Sequence, residues 1–189
     1  MFEFEEIVER AGIPLSHVCY KGKTMTQDTS VVICHAGTGT HVLSAGNLYR
    51  LIAEGQQTND RFSLMEVILE PGQGAPYHIH TREDEAFFVL EGEVTFYMED
   101  HETVGLKESF VSCPPGSVRG FRNNTNKQAR MLIFYSSAGV EEMTLKDGEI
   151  VEPGFKISDM DAGRDIQCPQ LAEEYGIQEL KKPLPEYIV

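Results

Sequence analysis

The run GAPYHIHTREDEAFFVLEG at residues 74–92 holds two histidines and a glutamate at a spacing that can do chemistry. In a β-strand, residues two apart point to the same side, so His78 and His80 present both imidazoles to one hollow. Glu85 follows His80 across the polar stretch TRED, a tight excursion after which the next strand can bring its carboxylate back toward them. Two neutral imidazoles and a carboxylate match the facial arrangement of iron(II) oxygenases, and they also suit nickel, zinc or manganese. A lone His-x-His would be weak evidence, because paired surface histidines are common. The glutamate and the framing Gly72 and Gly92 sharpen it.

Those three side chains need rigid strands to hold them, and the sequence supplies short β-rich runs from 41 to 136: HVLSA, LYRLIAE, RFSLMEVILE, EAFFVLEGEVTFYME, ESFVSC and ARMLIFYSS. Turn residues punctuate them at Gly46-Asn47, Asn59-Asp60, Pro71-Gly72, Glu91-Gly92, Pro114 to Gly116 and Asn123 to Asn126. Strands recurring at this spacing predict an all-β antiparallel sandwich or barrel. FFVL and MLIF are apolar on both faces, so a second sheet, a terminal arm or a partner subunit must cover their outer side. Phe87 shares the parity of Glu85 and is expected to line the pocket, together with Met65, Phe121 and Tyr49; the remaining strand aromatics are assigned to the core.

The ends read differently. Phe2, Phe4, Ile7 and Val8 predict a short amphipathic helix ended near Gly12 and Pro14. Residues 16–40 predict an irregular arm with one or two short strands around Val31 to Cys34. The AGTGT at 36–40 reads as a turn, since it lacks the GxxxxGK[ST] spacing of a phosphate loop. After Gly139 the chain turns acidic: residues 141–189 hold twelve Asp+Glu against five Lys+Arg, a net −7. There Ile166, Leu171, Ala172 and Tyr175 predict a short helix stopped at Gly176. The expected division is residues 1–40 as helix and arm, 41–140 as barrel, and 141–189 as an acidic arm packed on it.

A length of 189 residues suits one domain. The formal charge of −14 and the lack of a basic cluster argue against nucleic acid as a partner. The acidic start has no secretory pattern and no run of eighteen apolar residues occurs, so the expectation is a soluble cytoplasmic protein without a membrane partner. Cys19, Cys34, Cys113 and Cys168 are widely separated with no CxxC, which predicts reduced thiols. Cys113, at a strand end before Pro114, reads as a small buried residue, and no GxSxG nucleophile motif is present.

Gly72, His78, His80, Glu85 and Gly92 reproduce the first cupin motif, G(X)5HXH(X)4E(X)6G, at every defined position. Pro114, Gly116 and Asn123 reproduce part of the second, G(X)5PXG(X)2H(X)3N. Roughly residues 40–145, with LAEEYGI beyond, resemble single-domain cupins of the quercetin 2,3-dioxygenase-like group. The resemblance implies a jelly-roll β-barrel, commonly dimeric, in which motif-one histidines and glutamate join a motif-two histidine to hold a divalent metal. In the enzymes of that group the glutamate can also act as base toward a flavonol, dioxygen opens the heterocycle and carbon monoxide leaves. Carried over by position, His78, His80 and Glu85 are metal ligands and Glu85 is the catalytic base.

Two positions depart from the motifs. Glu108 stands where a glycine is expected, and Arg119 stands where the fourth ligand should be. Arginine keeps its proton and offers no lone pair to a metal. At about 5 Å from a divalent cation and an effective dielectric near 20, the repulsion is roughly 6–7 kcal/mol. Three uses of Arg119 stay open: swung outward, leaving a three-ligand site; turned inward as a forked salt bridge that replaces the metal's charge on Glu85; or set at the cavity wall to bind a substrate carboxylate, phenolate or enolate. Arg122 is assigned to the barrel rim.

Two functions follow from these alternatives. One is a metal-dependent, dioxygenase-like oxidoreductase (Fe, Ni, Mn or Zn) acting on a small aromatic or enol-containing compound. The other is a metal-free cupin that binds or senses a small organic anion. A barrel serving only as a dimerisation scaffold ranks below both. A homodimer is expected in each case.

Overall fold

A computed structural model describes residues 31–157 and 169–186. The predicted helix over residues 2–11 lies outside them, as do Cys19 and Cys168. Among the described residues twelve strands form two antiparallel sheets, in the jelly-roll manner that the alternation of short strands and turns predicts. The larger sheet runs in the order β11 (Glu149–Val151), β1 (His41–Ser44), β2 (Asn47–Ala53), β3 (Ser63–Leu69), β10 (Ala129–Ser136), β5 (Asp84–Glu91), β8 (Phe110–Cys113). The smaller runs β12 (Ile177–Glu179), β4 (Gly74–His80), β9 (Val118–Arg122), β6 (Glu93–Met98), β7 (Glu102–Leu106). Three short helices accompany them among the described residues: α1 (Gly55–Thr58), α2 (Val140–Asp147) and α3 (Pro169–Glu174). None is long and apolar enough to cross a membrane.

The inner faces of the two sheets meet in one core, where Val42, Leu51, Met65, Val67, Phe87, Val89, Phe96, Met131 and Ile133 are all buried. Burying each of the larger of these side chains contributes about 1.5–3 kcal/mol before ordering costs. Phe87 packs between Phe96 and Phe121 in tilted and edge-on contacts, with ring centroids 5.2 and 5.5 Å away. The outer face of the larger sheet stays apolar and open: Phe88, Phe110 and Phe134 remain exposed, Phe110 at 66%.

The turns sit where the sequence punctuates itself. Gly92 joins β5 to β6 at φ +75°, and a Cβ there would approach Gln128 O to 2.9 Å, so only glycine fits comfortably. Glu108, the residue in place of the second motif's glycine, adopts φ +72°, a left-handed backbone that costs a side chain with a Cβ.

The chain departs from the sequence reading in several elements. Val31 to Cys34 form no strand. Strands β7 and β9 were not among the predicted runs: ETVGL of β7 has only one buried position, and VRGFR of β9 is broken by two arginines and a glycine, so both carry little apolar signal. The acidic segment after Gly139 folds more than expected. It forms α2, pairs β11 with β1, pairs β12 with β4, and forms α3 up to Gly176 at φ +78°. The arm therefore extends both sheets rather than only lying on them.

Candidate metal centre

The metal-ligand candidates come from strands in different sheets that face each other across the barrel. His78 and His80 lie two apart on β4 and are both buried. Strand β4 carries one extra residue against β9, since Ala75 pairs with Phe121 while His78 pairs with Arg119. This bulge falls at Pro76 and Tyr77 and sets the side to which His78 is aimed. Gly74 permits the close strand approach beside it, because a Cβ would meet Phe121 O at 2.0 Å. The loop Thr81 to Glu83 then carries the chain to the other sheet, where Glu85 is the second residue of β5.

His78 Nε2 lies 3.8 Å and His80 Nε2 3.5 Å from one oxygen, Oε2 of Glu85. One donor atom from each of the three residues falls within 4.8 Å of the others. The far side of each imidazole is engaged. His78 Nδ1 is 2.8 Å from Pro76 O, and His80 Nδ1 is 3.4 Å from Oε2 of the buried Glu83. A backbone carbonyl only accepts, so His78 Nδ1 carries a proton, and in the neutral imidazole the Nε2 lone pair then faces inward. His80 Nδ1, beside the Glu83 carboxyl, is arranged in the same way. Three electron-pair donors then converge on one small volume, and Glu85 Oε2 has no hydrogen-bond partner among the described residues. That donor set fits a divalent cation, whose charge would offset the mutual repulsion of the three lone pairs.

Arg119 is buried beside them, with 1% exposure, so it does not swing outward. Nor does it fork onto Glu85. Its Nε alone approaches Glu85 Oε2, at 3.5 Å. Its Nη2 donates to Cys113 O (3.0 Å), Pro114 O (2.7 Å) and Ser117 Oγ (3.0 Å), tying the guanidinium to the β8–β9 turn. Arg119 is not among the described residues that line the cavity at the site, although its Nε and Nη1 are buried without a hydrogen-bond partner among the described residues. Burial works to raise the Glu85 carboxyl's pKa; when the imidazoles carry a proton on their inner nitrogens, His78 and His80, with Arg119, hold it below its ordinary value, and that inner proton is what a metal would displace. Burial pushes the Cys113 thiol up, against the pull of Arg119.

The cavity holds about 110 Å³ and is lined by His78, His80, Glu85, Tyr49, Met65 and Phe121 among others. Tyr49, Met65 and Phe121 stand where the sequence predicts. Phe87 does not line it; although it shares the inward parity of Glu85, its ring is taken up by Phe96 and Phe121. Arg122 donates to Asn124, Tyr97 Oη and Pro185 O at the edge of the smaller sheet, in keeping with a rim role.

Several contributors escaped the sequence reading. Tyr135 lines the cavity, pairs in register with Glu85, and lies 5.6 Å from the His80 ring. Burial, then the Glu85 charge, pushes its phenol well above the ordinary value. Burial likewise pushes Tyr49 up to about 12. Glu83 holds His80, and its position three residues after a candidate ligand, in a polar loop, was a readable signal. Val140, Met143 and Thr144 of α2, Ala172 of α3 and Ile177 of β12 also line the cavity, and no motif announces them.

Residues 65–135 match the cupin domain family. The quercetin 2,3-dioxygenase of Bacillus subtilis (strain 168) is 24% identical over 90 residues, which cover 48% of this chain and 27% of that enzyme. The chain thus spans about a quarter of the length of the curated relative it matches. Among solved structures, KdgF from a Halomonas species aligns with a TM-score of 0.51 at 13% identity, covering 58% of this chain and 97% of that one. A predicted oxalate decarboxylase from Thermotoga maritima aligns with a TM-score of 0.51 at 15% identity, covering 57% and 99%. At these identities the two structures bear on the fold alone.

Proposed function

We propose, from the premise that the chain belongs to the cupin superfamily through residues 65–135, that it is a metal-dependent oxidoreductase of the dioxygenase type. Its substrate would be a small aromatic or enol-containing compound. The observation that carries this reading is the convergence of His78 Nε2, His80 Nε2 and the unpartnered Glu85 Oε2, with the outer histidine nitrogens already engaged. The likeness to a quercetin 2,3-dioxygenase supports the reaction class.

A divalent metal held by these three residues would supply electrophilic polarisation of a substrate oxygen and, if redox-active, access to dioxygen chemistry. The chain's own groups do the rest. Pro76 O and Glu83 hold the imidazoles in the tautomer that can ligate. The carboxylate of Glu85, kept ionised by its neighbours, can accept the proton of a substrate hydroxyl. Tyr49 and Tyr135 stay protonated at neutral pH and can donate to a substrate oxygen. Met65, Phe121 and Ile133 exclude water from one side of the cavity. Arg119 acts from behind Glu85, as a fixed positive charge that weakens metal binding and steadies the carboxylate. Two copies pair through the apolar face that carries Phe88, Phe110 and Phe134.

Arg119 also favours a second reading, a metal-free binding or sensory barrel in which the guanidinium is Glu85's only counter-charge. Metal analysis of untagged, chelator-free protein incubated with Fe(II), Ni(II), Mn(II) and Zn(II) separates the two. One equivalent of metal per chain is expected. Substoichiometric metal under all four conditions selects the second reading.

A further inference from the structure

The walls of the cavity bear on what enters it. No Lys or Arg is among the described residues that line it, whereas two carboxylates, Glu85 and Glu179, are. Asn47, only 1% exposed, also lines it. Its Nδ2 donates to Ala45 O and Gly74 O, which fixes the amide's orientation, and its Oδ1 is left without a partner among the described residues. Away from these polar groups, Val140 and Met143 of α2, Ala172 of α3 and Ile177 of β12 supply an apolar wall. The volume of about 110 Å³ is on the scale of the engineered cavity of about 150 Å³ that takes a single benzene ring, well short of what a three-ring flavonol fills.

We infer that the site takes a neutral, single-ring or equally small hydroxyl-bearing compound, with the helical arm after Gly139 setting the limit on size and charge. Flavonols and carboxylates are excluded. The inference rests on reading His78, His80 and Glu85 as the chemical end of the cavity. A ligand hydroxyl can donate to Asn47 Oδ1 or Glu85 while its ring meets the apolar wall. A carboxylate on the same ring, held at the apolar wall away from the three donors, meets no Lys or Arg among the described lining residues and must be buried there or beside Glu179. This differs from the organic-anion ligand that Arg119 suggested in sequence, because the guanidinium stands behind Glu85 and is not among the described residues that line the cavity.

Anaerobic calorimetry on the Mn(II)-loaded full chain and on the metal-free chain tests this with three probes: 4-methylcatechol, 3,4-dihydroxybenzoate and quercetin. The first two differ by a methyl and a carboxylate at one ring position. In both samples 4-methylcatechol is expected to bind at least tenfold tighter than either of the others. Met143→Lys should shrink the gap between methyl and carboxylate at least fivefold. Met143→Ala, the milder change, should improve quercetin binding relative to 4-methylcatechol. Equal or tighter binding of 3,4-dihydroxybenzoate or quercetin to the unsubstituted chain overturns the inference, and so does no binding of 4-methylcatechol. Metal content is read on the same samples: stoichiometric metal with the order reversed overturns the substrate class only, and lack of metal overturns the proposed function.

Discussion

Two buried glutamates, Glu66 and Glu85, each have arginine neighbours, yet one is closed and the other open. Glu66 sits between two guanidinium groups. Arg50 reaches its Oε2 through Nε at 2.8 Å and Nη2 at 2.6 Å, while Arg130 binds its Oε1 through Nε at 2.8 Å and again through Nη2. Both oxygens are satisfied. Glu85 has two imidazole nitrogens and one guanidinium nitrogen around a single oxygen at 3.5–3.8 Å, and no hydrogen bond to that oxygen. The two sites differ in charge, two guanidinium groups against one, and still more in geometry. A forked, satisfied acid joins strands β2, β3 and β10, whereas an acid ringed by inward lone pairs is built for something that arrives later.

Substitution by glutamine should separate the two roles most strongly. Glu85→Gln is expected to weaken Mn(II) binding at least a hundredfold and also to destabilise the metal-free protein, because the buried Arg119 guanidinium loses its counter-charge. Glu66→Gln is expected to leave Mn(II) affinity unchanged and to cost about 2 kcal/mol in chemical denaturation, less than for a wholly buried pair because Arg130 is partly exposed. Matching effects of the two substitutions on metal affinity would erase the distinction.

The next largest effects concern the neighbours of Glu85. Glu83→Ala frees His80 Nδ1 and should lower metal affinity about tenfold or more. Arg119→His replaces a cation by a fourth donor and should tighten metal binding at least tenfold; unchanged affinity would mean that the guanidinium's charge is not felt at the three donors.

Acid titration sharpens the contrast from the other side. Burial opposes the ionised form of Glu66, but its bonds to Arg130 and Arg50 hold its pKa below the ordinary 4.5. A depressed carboxyl stabilises the fold above its unfolded value, and that contribution is lost as pH falls from about 4.5 through the lower folded value. Thermal melts between pH 6 and 3 should lose part of that slope in Glu66→Gln. The smallest effect is expected at Glu108→Gly, which relieves the left-handed backbone and should stabilise by about 0.5–1 kcal/mol without touching metal affinity.

Much of this was legible in the sequence for physical reasons. His-x-His in a strand fixes a shared face whatever surrounds it, and the polar TRED between His80 and Glu85 marks the crossing from one sheet to the other. Gly92 and Gly116 marked turns that need a left-handed backbone, and both have positive φ. What was not legible depends on contacts between distant segments. The parity of Phe87 was right, but two aromatic neighbours from β6 and β9 claimed its ring. The direction of Arg119 was set by three acceptors in the β8–β9 turn, which no spacing rule reveals. The acidic composition after Gly139 hid β11 and β12, because edge strands that borrow their partners need little apolar pattern of their own.

The central claim is that a divalent cation is held by two imidazole nitrogens and one carboxylate beside an unreactive guanidinium. Pulsed electron paramagnetic resonance of the Mn(II)-loaded chain, grown with ¹⁵N-histidine, tests it most directly. The account predicts one bound Mn(II) per chain coupled to two histidine nitrogens, and none in His78→Ala/His80→Ala. Bound Mn(II) with no histidine coupling, or no bound Mn(II) at millimolar metal, would contradict it.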